Sequence, residues 1–214
     1  MNIKAVLFDM DGLIFDTERL YKTSWQEAAK DQGLEISDEF YEHFIGVQDP
    51  ECEKLLTHKF SHSLDLARYR LIRDQHFQRA KQQGVHYKIG FHTLFKTLQA
   101  KGILCALVTS SHRPEVYSNF AHSNYLDLFS TIVTAEDVEK GKPNPECYLL
   151  ACKVLNIEPM YALILEDSNN GMKAGIDAGC QTVMIPDLLP PRNDIEAEAN
   201  HVFSSLEEVI SLLI

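Results

Sequence analysis

Residues 5–12 read Ala5-Val6-Leu7-Phe8-Asp9-Met10-Asp11-Gly12, and Asp16 adds a third carboxylate shortly after. Four apolar residues in a row, without polar alternation, are the pattern of a short strand buried on both faces, as in parallel sheets. Two acids at i and i+2 then stand at its tip. Open α/β sheets bind ligands at the carboxyl ends of their strands, so the stretch places paired carboxylates where a ligand is expected. Such a pair repels itself unless a metal ion, a shared proton or a basic partner lies between.

Outward from this strand the pattern changes twice. From about Glu18 to Val85 it is helical. Tyr21, Trp25, Ala28 and Ala29 make one apolar face, Cys52, Leu55, Leu56 and Phe60 a second, and Leu64, Ala67 and Leu71 a third. From Gly90 onwards strands and helices alternate. Phe91, Leu94, Phe95 and Leu98 form a helix face, and 103–108 is a strand ending in Thr109-Ser110-Ser111. A helix follows from about Pro114, and Ile132-Val133 is a shorter strand. Cys147, Leu150, Ala151 and Val154 mark a further helix. Residues 162–165 form a strand ending in Glu166-Asp167, and 182–185 another. The tract with Asp194, Glu196 and Glu198 reads as a solvated loop. Alternation of this kind predicts an α/β protein, a doubly wound parallel sheet with helices on both faces. The helical block is an inserted all-helical domain: residues 1–17 and 86–214 make the core and 18–85 the insert.

Composition narrows the partners. The 214 residues carry 20 Lys and Arg against 31 Asp and Glu, a net charge of −11. Nucleic acid and anionic membrane both select a basic face, so neither is expected as a partner. The insert holds 10 basic and 12 acidic residues and the remainder 10 and 19, so the acidity lies with the paired carboxylates. Arg68, Arg70, Arg73, Arg79 and Lys81 cluster in the insert and read as a solvated helix face. The five cysteines, 52, 105, 147, 152 and 180, include no C-x-x-C and read as reduced thiols. Residues 3–8 are too short for a signal-peptide core, and no run approaches the ~20 apolar residues that span a bilayer. A cytoplasmic location is expected.

If the strands are parallel, Asp9, Asp11, Thr109, Ser110, Glu166 and Asp167 converge on one edge, with Lys142 of Gly141-Lys142-Pro143 in a nearby loop. Carboxylates, a hydroxyl with neighbouring N–H groups and one lysine suit phosphoryl transfer. A carboxylate can attack phosphorus, a second can move protons, a hard cation takes oxygen ligands, and donors balance the phosphoryl oxygens.

These residues also carry a resemblance. Asp9-Met10-Asp11-Gly12-Leu13-Ile14-Phe15-Asp16 is similar to the first motif of the haloacid dehalogenase superfamily, D-x-D-G-x-x-x-D. Thr109 resembles its second motif, Lys142 in GKPNP its third and Glu166-Asp167 in EDSNNG its fourth, in family order. The resemblance implies a Rossmann-like core with an α-helical cap, and a phosphatase within the β-phosphoglucomutase-like subgroup. It implies Asp9 as nucleophile and metal ligand. Asp11 would be the general acid/base, its carbonyl also facing the metal. Thr109 and Ser110 would bind the phosphoryl group, and Lys142 would neutralise charge and orient Asp9. Asp167 would hold Mg2+, with Glu166 a direct or outer ligand. The implied partner is a small phosphorylated metabolite. Residues 9–21 are similar to the pseudouridine-5'-phosphatase branch. A sugar phosphomutase is the alternative. Its relatives carry a His and an Arg where Tyr21 and Asp49 stand here, and an Asp would repel a phosphate. A phospho-receiver signalling module is disfavoured because Glu166-Asp167 follow Lys142.

Other residues have plainer readings. Asp16 is expected to cap a helix or brace the hinge, Gly12 to permit a tight turn, and Ser111 to be a turn residue. Gly171, Gly175 and Gly179 are expected to let a helix approach the sheet. His58 and His62 read as a surface pair, and His112 is a weaker candidate for approach to the site.

Overall fold

The computed structural model describes residues 2–45, 47, 49–82 and 84–213. In chain order the main elements begin with β1 (Ala5–Phe8), α1 (Thr17–Asp31), α2 (Asp38–Tyr41), α3 (Asp49–Phe60) and α4 (Leu66–Gln82). They continue with α5 (Phe91–Ala100), β2 (Leu104–Val108), α6 (Arg113–Phe120), β3 (Thr131–Val133) and α7 (Glu146–Leu155). The last are β4 (Ala162–Glu166), α8 (Asn169–Asp177), β5 (Gln181–Met184), α9 (Asn193–Glu198) and β6 (His201–Val202). The chain divides into two units, residues 1–16 with 86–214, and residues 17–85.

In the first unit the six strands form one parallel sheet in the order β3-β2-β1-β4-β5-β6. β1 is central, with Phe8 opposite Leu107 on one side and Leu165 on the other. In this order the chain works outward from β1 to one edge and then returns to build the other. The point of reversal opens a crevice at the carboxyl end of β1. All four β1 residues are buried. Ala5 and Leu7 pack with Tyr148 and Ala151 of α7 and Ala174 of α8. Phe8 turns the other way, its ring 6.1 Å from Phe91 and 6.0 Å from Phe95 of α5. Both sheet faces are thus covered by helices, and the first carboxylate can appear only where the strand ends.

In this unit three details differ from the sequence reading. The acidic tract forms the short helix α9, pinned by one buried residue, Ile195, which packs on Met172 and Met184. The two-residue β6 extends the sheet beyond β5. On α7 the buried face is Cys147, Tyr148, Ala151 and Cys152, whereas Val154 is exposed.

The chain leaves and re-enters this unit through paired segments. The Asp16 N–H donates to the His86 carbonyl at 3.0 Å and the Lys88 N–H to that of Ile14 at 2.8 Å. Lys88 Nζ reaches Asp187 at 2.5 Å and Asp16 at 3.9 Å, which ties the two segments together within this unit.

The second unit contains α1–α4, with no strand among its described residues. α1 packs on α4 through Trp25, whose carbonyl accepts from the Tyr69 hydroxyl at 2.6 Å. The expected face of Leu64, Ala67 and Leu71 is wrong: Tyr69 is the buried residue of α4, and Leu71 is exposed. The basic cluster is solvated as expected at Arg68, Arg70 and Arg79, whereas Arg73 is largely buried, and three of the arginines are held in ion pairs. Arg68 pairs with Asp31 at 2.7 Å, Arg70 with Glu53 at 2.5 Å, and Arg73 with Asp49 at 2.9 Å. The Arg73 guanidinium also lies 4.6 Å from the Trp25 ring centre. Asp49 thus pairs with an arginine that Glu53 and Asp74 share. His58 and His62 are exposed. No helix among the described residues is long and apolar enough to cross a membrane.

Candidate active site

Asp9 begins where β1 stops. Its N–H still donates to the Leu165 carbonyl at 3.1 Å, so the sheet ladder fixes its backbone. Its side chain meets Lys142, which precedes α7 and is joined to Pro143 by a cis peptide bond. Lys142 Nζ donates to Asp9 Oδ1 at 2.5 Å, to Glu166 Oε1 at 2.6 Å and to the Val108 carbonyl at 3.1 Å. All three ammonium protons are used, and acceptors on the loops or strands of three chain segments set the lysine's position. Burial opposes its charge, but Asp9 and Glu166 outweigh that and hold the ammonium well above the usual lysine range. Burial pushes the Asp9 carboxyl up to about 8; Lys142 opposes the rise while Glu166 and Asp11 add to it.

Glu166, the last residue of β4, is fully buried. Its Oε1 accepts from Lys142 and from the Tyr148 hydroxyl at 2.8 Å. Its Oε2 accepts from the Ser168 N–H at 3.1 Å and the Ser168 hydroxyl at 2.9 Å. A carboxylate offers about four lone-pair positions, so protein donors occupy all of them. Burial, reinforced by Glu166, raises the Tyr148 phenol well above its ordinary value and keeps it a donor. Ser168 both caps α8, accepting from the Gly171 N–H at 3.1 Å, and braces Glu166. Gly171 is needed for space: any Cβ there would overlap the Glu166 carboxylate, so this glycine serves the site as well as packing. Gly175 meets Ile164 and Thr182 of the sheet as expected, whereas Gly179 has nothing near its Cβ position.

Asp167 is half-buried and lies with Asp9 and Glu166 in a set whose ligand oxygens are all within 4.8 Å of one another. Gly12 makes this approach possible. It has φ of +82°, a conformation L side chains resist, and a Cβ there would strike the Asp167 carboxylate. Asp11 contributes no atom to the three-carboxylate set. Its Oδ2 accepts instead from the Ser111 hydroxyl at 2.6 Å.

Thr109 follows β2 and is buried; its N–H donates to the Val133 carbonyl at 3.0 Å and its Oγ1 accepts from the Ser111 N–H at the same distance. Ser110 lies on the outside of this turn and is exposed. His112 pairs with Glu136 at 2.9 Å, away from the carboxylates. The sequence reading missed Ser111, read as a turn residue, and Tyr148, hidden inside an apolar helix pattern.

The arrangement is one lysine paired to two acids at a sheet switch point, with a third acid close to both and a hydroxyl turn and a fourth acid beside them. A model of the family described as haloacid dehalogenase-like hydrolase matches residues 6–185. This chain belongs to that family. As a haloacid dehalogenase-like hydrolase it falls in the phosphatase subgroup with a helical insert. It is 27% identical over 181 residues to Phosphorylated carbohydrates phosphatase of Thermotoga maritima, covering 85% of this chain and 84% of that protein. It is 30% identical over 219 residues to the Drosophila melanogaster protein named Probable pseudouridine-5'-phosphatase, covering 94% and 89%. The crystal structure of CbbY from Rhodobacter sphaeroides in complex with phosphate superposes with a TM-score of 0.74 at 25% identity, covering 97% of this chain and 96% of that one.

Proposed function

We propose that this hydrolase is a Mg2+-dependent phosphatase acting on a small phosphorylated metabolite, a sugar phosphate or nucleoside monophosphate, with the phosphoryl group carried transiently on Asp9. The observation that supports it most is the meeting of Asp9, Glu166 and Asp167 within 4.8 Å of one another, with Lys142 paired to the first two. An all-oxygen, carboxylate donor set fits a hard cation. With Glu166 occupied by four protein donors, Asp9 and Asp167 would hold the ion directly, Asp11 through its carbonyl, and Glu166 would act behind them as counter-ion to Lys142. Bound there, the ion would neutralise phosphoryl oxygens and make phosphorus more electrophilic.

The chain's own residues divide the remaining work. An Asp9 carboxylate oxygen attacks phosphorus; the ester bond breaks and its oxygen leaves with a proton from Asp11. Asp11, now a carboxylate, takes a proton from water. The water oxygen attacks phosphorus, the bond to Asp9 breaks, and orthophosphate departs. Thr109 and the Ser110 N–H bind phosphoryl oxygens, and Lys142 offsets their charge. Uncatalysed monoester hydrolysis needs acceleration of up to on the order of 10^21, a demand that concentrated charge at such a site answers. The relatives named above bear on the substrate, one for phosphorylated carbohydrates and one for a nucleoside phosphate. Phosphate release from a panel of sugar phosphates and nucleoside monophosphates, with Mg2+ and with EDTA, tests the reading. Release is expected with Mg2+ only. No release, release unaffected by EDTA, or isomerised sugar phosphate in place of orthophosphate would overturn it.

A further inference from the structure

Ser111 lies 100 positions from Asp11 in the chain, yet its hydroxyl donates to Asp11 Oδ2 at 2.6 Å. Its backbone is tied on two further sides. The N–H donates to Thr109 Oγ1 at 3.0 Å, and the carbonyl accepts from the Ala135 N–H at 3.1 Å. We propose that Ser111 is a positioning residue for Asp11, holding the carboxyl that hands a proton to the departing ester oxygen. The proposal rests on the phosphatase reading.

The physical case concerns orientation. The outer torsion of an aspartate is broad and nearly two-fold, so the carboxyl plane is poorly defined without a partner. Proton transfer asks for heavy atoms about 2.6–3.2 Å apart, and a displacement of ~1 Å in such a geometry lowers rates by about 10^2. Anchoring Oδ2 to a hydroxyl whose own backbone is fixed sets that plane. Ser111 also ties together the two contacts that must act on one substrate. Thr109 is placed to meet phosphoryl oxygens and Asp11 to meet the ester oxygen. A single residue joins both by hydrogen bonds, so their spacing is set before substrate arrives.

The leaving group exposes this role. The parameter kcat/KM reports steps up to the first irreversible one, here transfer to Asp9. A p-nitrophenolate leaves without needing a proton, whereas the alkoxide of a sugar or glycerol phosphate does not. Ser111→Ala keeps the N–H that serves Thr109 and removes only the hydroxyl. We therefore expect it to lower kcat/KM for an alkyl phosphate by about tenfold or more, and for p-nitrophenyl phosphate by less than about twofold. The alkyl phosphate is whichever of ribose 5-phosphate, glucose 6-phosphate and β-glycerophosphate the wild type turns over fastest. Ser111→Thr, which restores a hydroxyl, is expected to recover the alkyl-phosphate rate, and Asp11→Asn to show the same asymmetry more strongly. If Ser111→Ala melts early, Ser111→Cys, of similar size and a weaker donor, reads the same ratio. Equal losses on both esters, no loss on the alkyl ester, or failure of Thr to rescue would overturn the role of Ser111. A wild type inactive on every ester would instead overturn the phosphatase reading beneath it.

Discussion

Each unit of this protein holds a cluster of acids and bases, and the two are balanced differently. In the helical unit Asp49, Glu53 and Asp74 face Arg70 and Arg73, three acids against two bases, and each acid lies against an arginine. In the sheet unit Asp9 and Glu166 share Lys142, with Asp167 close to both and Asp11 close by in the chain. The carboxyls respond accordingly. Arg70 holds Glu53 below the usual glutamate range. Burial raises Asp49, but Arg73 opposes the rise. Asp9, with a more deeply buried cation at 2.5 Å, is still pushed up to about 8. An ionic network whose acids each lie against an arginine belongs to the architecture. One in which three buried or half-buried acids gather with a single cation asks for a counter-charge from outside.

The sharpest way to break this contrast is to remove one acid from each cluster. Asp9→Asn takes away the proposed nucleophile and is expected to lower turnover by at least about 10^3-fold, measured as phosphate release at saturating substrate. Glu53→Gln leaves Arg70 and Arg73 short of a partner and is expected to lower Tm while sparing p-nitrophenyl phosphate hydrolysis. Near-normal turnover in Asp9→Asn would remove the nucleophile assignment. Loss of chemistry in Glu53→Gln would show that the helical cluster is not mere architecture.

The surplus predicts a metal response next. At free Mg2+ about 100-fold above its Kd, binding to the folded state alone adds about 2.7 kcal/mol. For a protein of this size that corresponds to roughly 5–10 °C in Tm. The rise is expected in the wild type and to be lost in Asp167→Asn, which removes a ligand without touching Lys142. A rise that survives in Asp167→Asn would place the ion elsewhere.

In metal-free protein the same surplus should appear as a pH slope. An unfolded aspartate titrates near 3.9, whereas burial lifts Asp9 to about 8 in the fold. Between those values the folded state holds more protons than the unfolded one, so stability declines as pH rises through about 4 to 8. Thermal melts in EDTA across that range are expected to show a downward trend in Tm for the wild type and a flatter one for Asp9→Asn. Parallel trends in the two proteins would mean that Asp9 carries no such strain.

How much of this was legible in the sequence follows from how each feature is encoded. β1 and its acids were legible because burial on both faces leaves an unbroken apolar run, and the first polar residue marks the strand end. The alternating pattern gave the parallel sheet, but β6 has only two residues and carries no period. On α4 the leucines suggested a face, while the packing selected Tyr69 because its hydroxyl reaches the Trp25 carbonyl. The charges of the helical unit were visible, but the pairing of Arg73 with Asp49 depends on how α3 meets α4. At the site, Asp9, Lys142 and Glu166 stood at strand ends or in a flagged loop. Tyr148 did not, since it sits between Cys147 and Leu150 in an apolar helix and its one polar atom points at Glu166. Ser111 was hidden for another reason: a serine in a turn usually bonds its own backbone, and this one crosses to another strand's loop.

The smallest expected effect tests whether the two clusters are independent. Arg70 is half exposed and grips Glu53 through two bonds, Nε to Oε1 at 2.7 Å and a terminal nitrogen to Oε2 at 2.5 Å. Solvent screens such a pair, so it contributes little to stability even though the arginine is bidentate. Glu53 also keeps Arg73 at 3.7 Å. Arg70→Ala is therefore expected to lower Tm only slightly, by less than Glu53→Gln does. It should also leave the increment produced by Mg2+ unchanged, because the ion answers a surplus located in the other unit. A changed increment would mean that the two clusters share charge, and the division between architecture and site would fail.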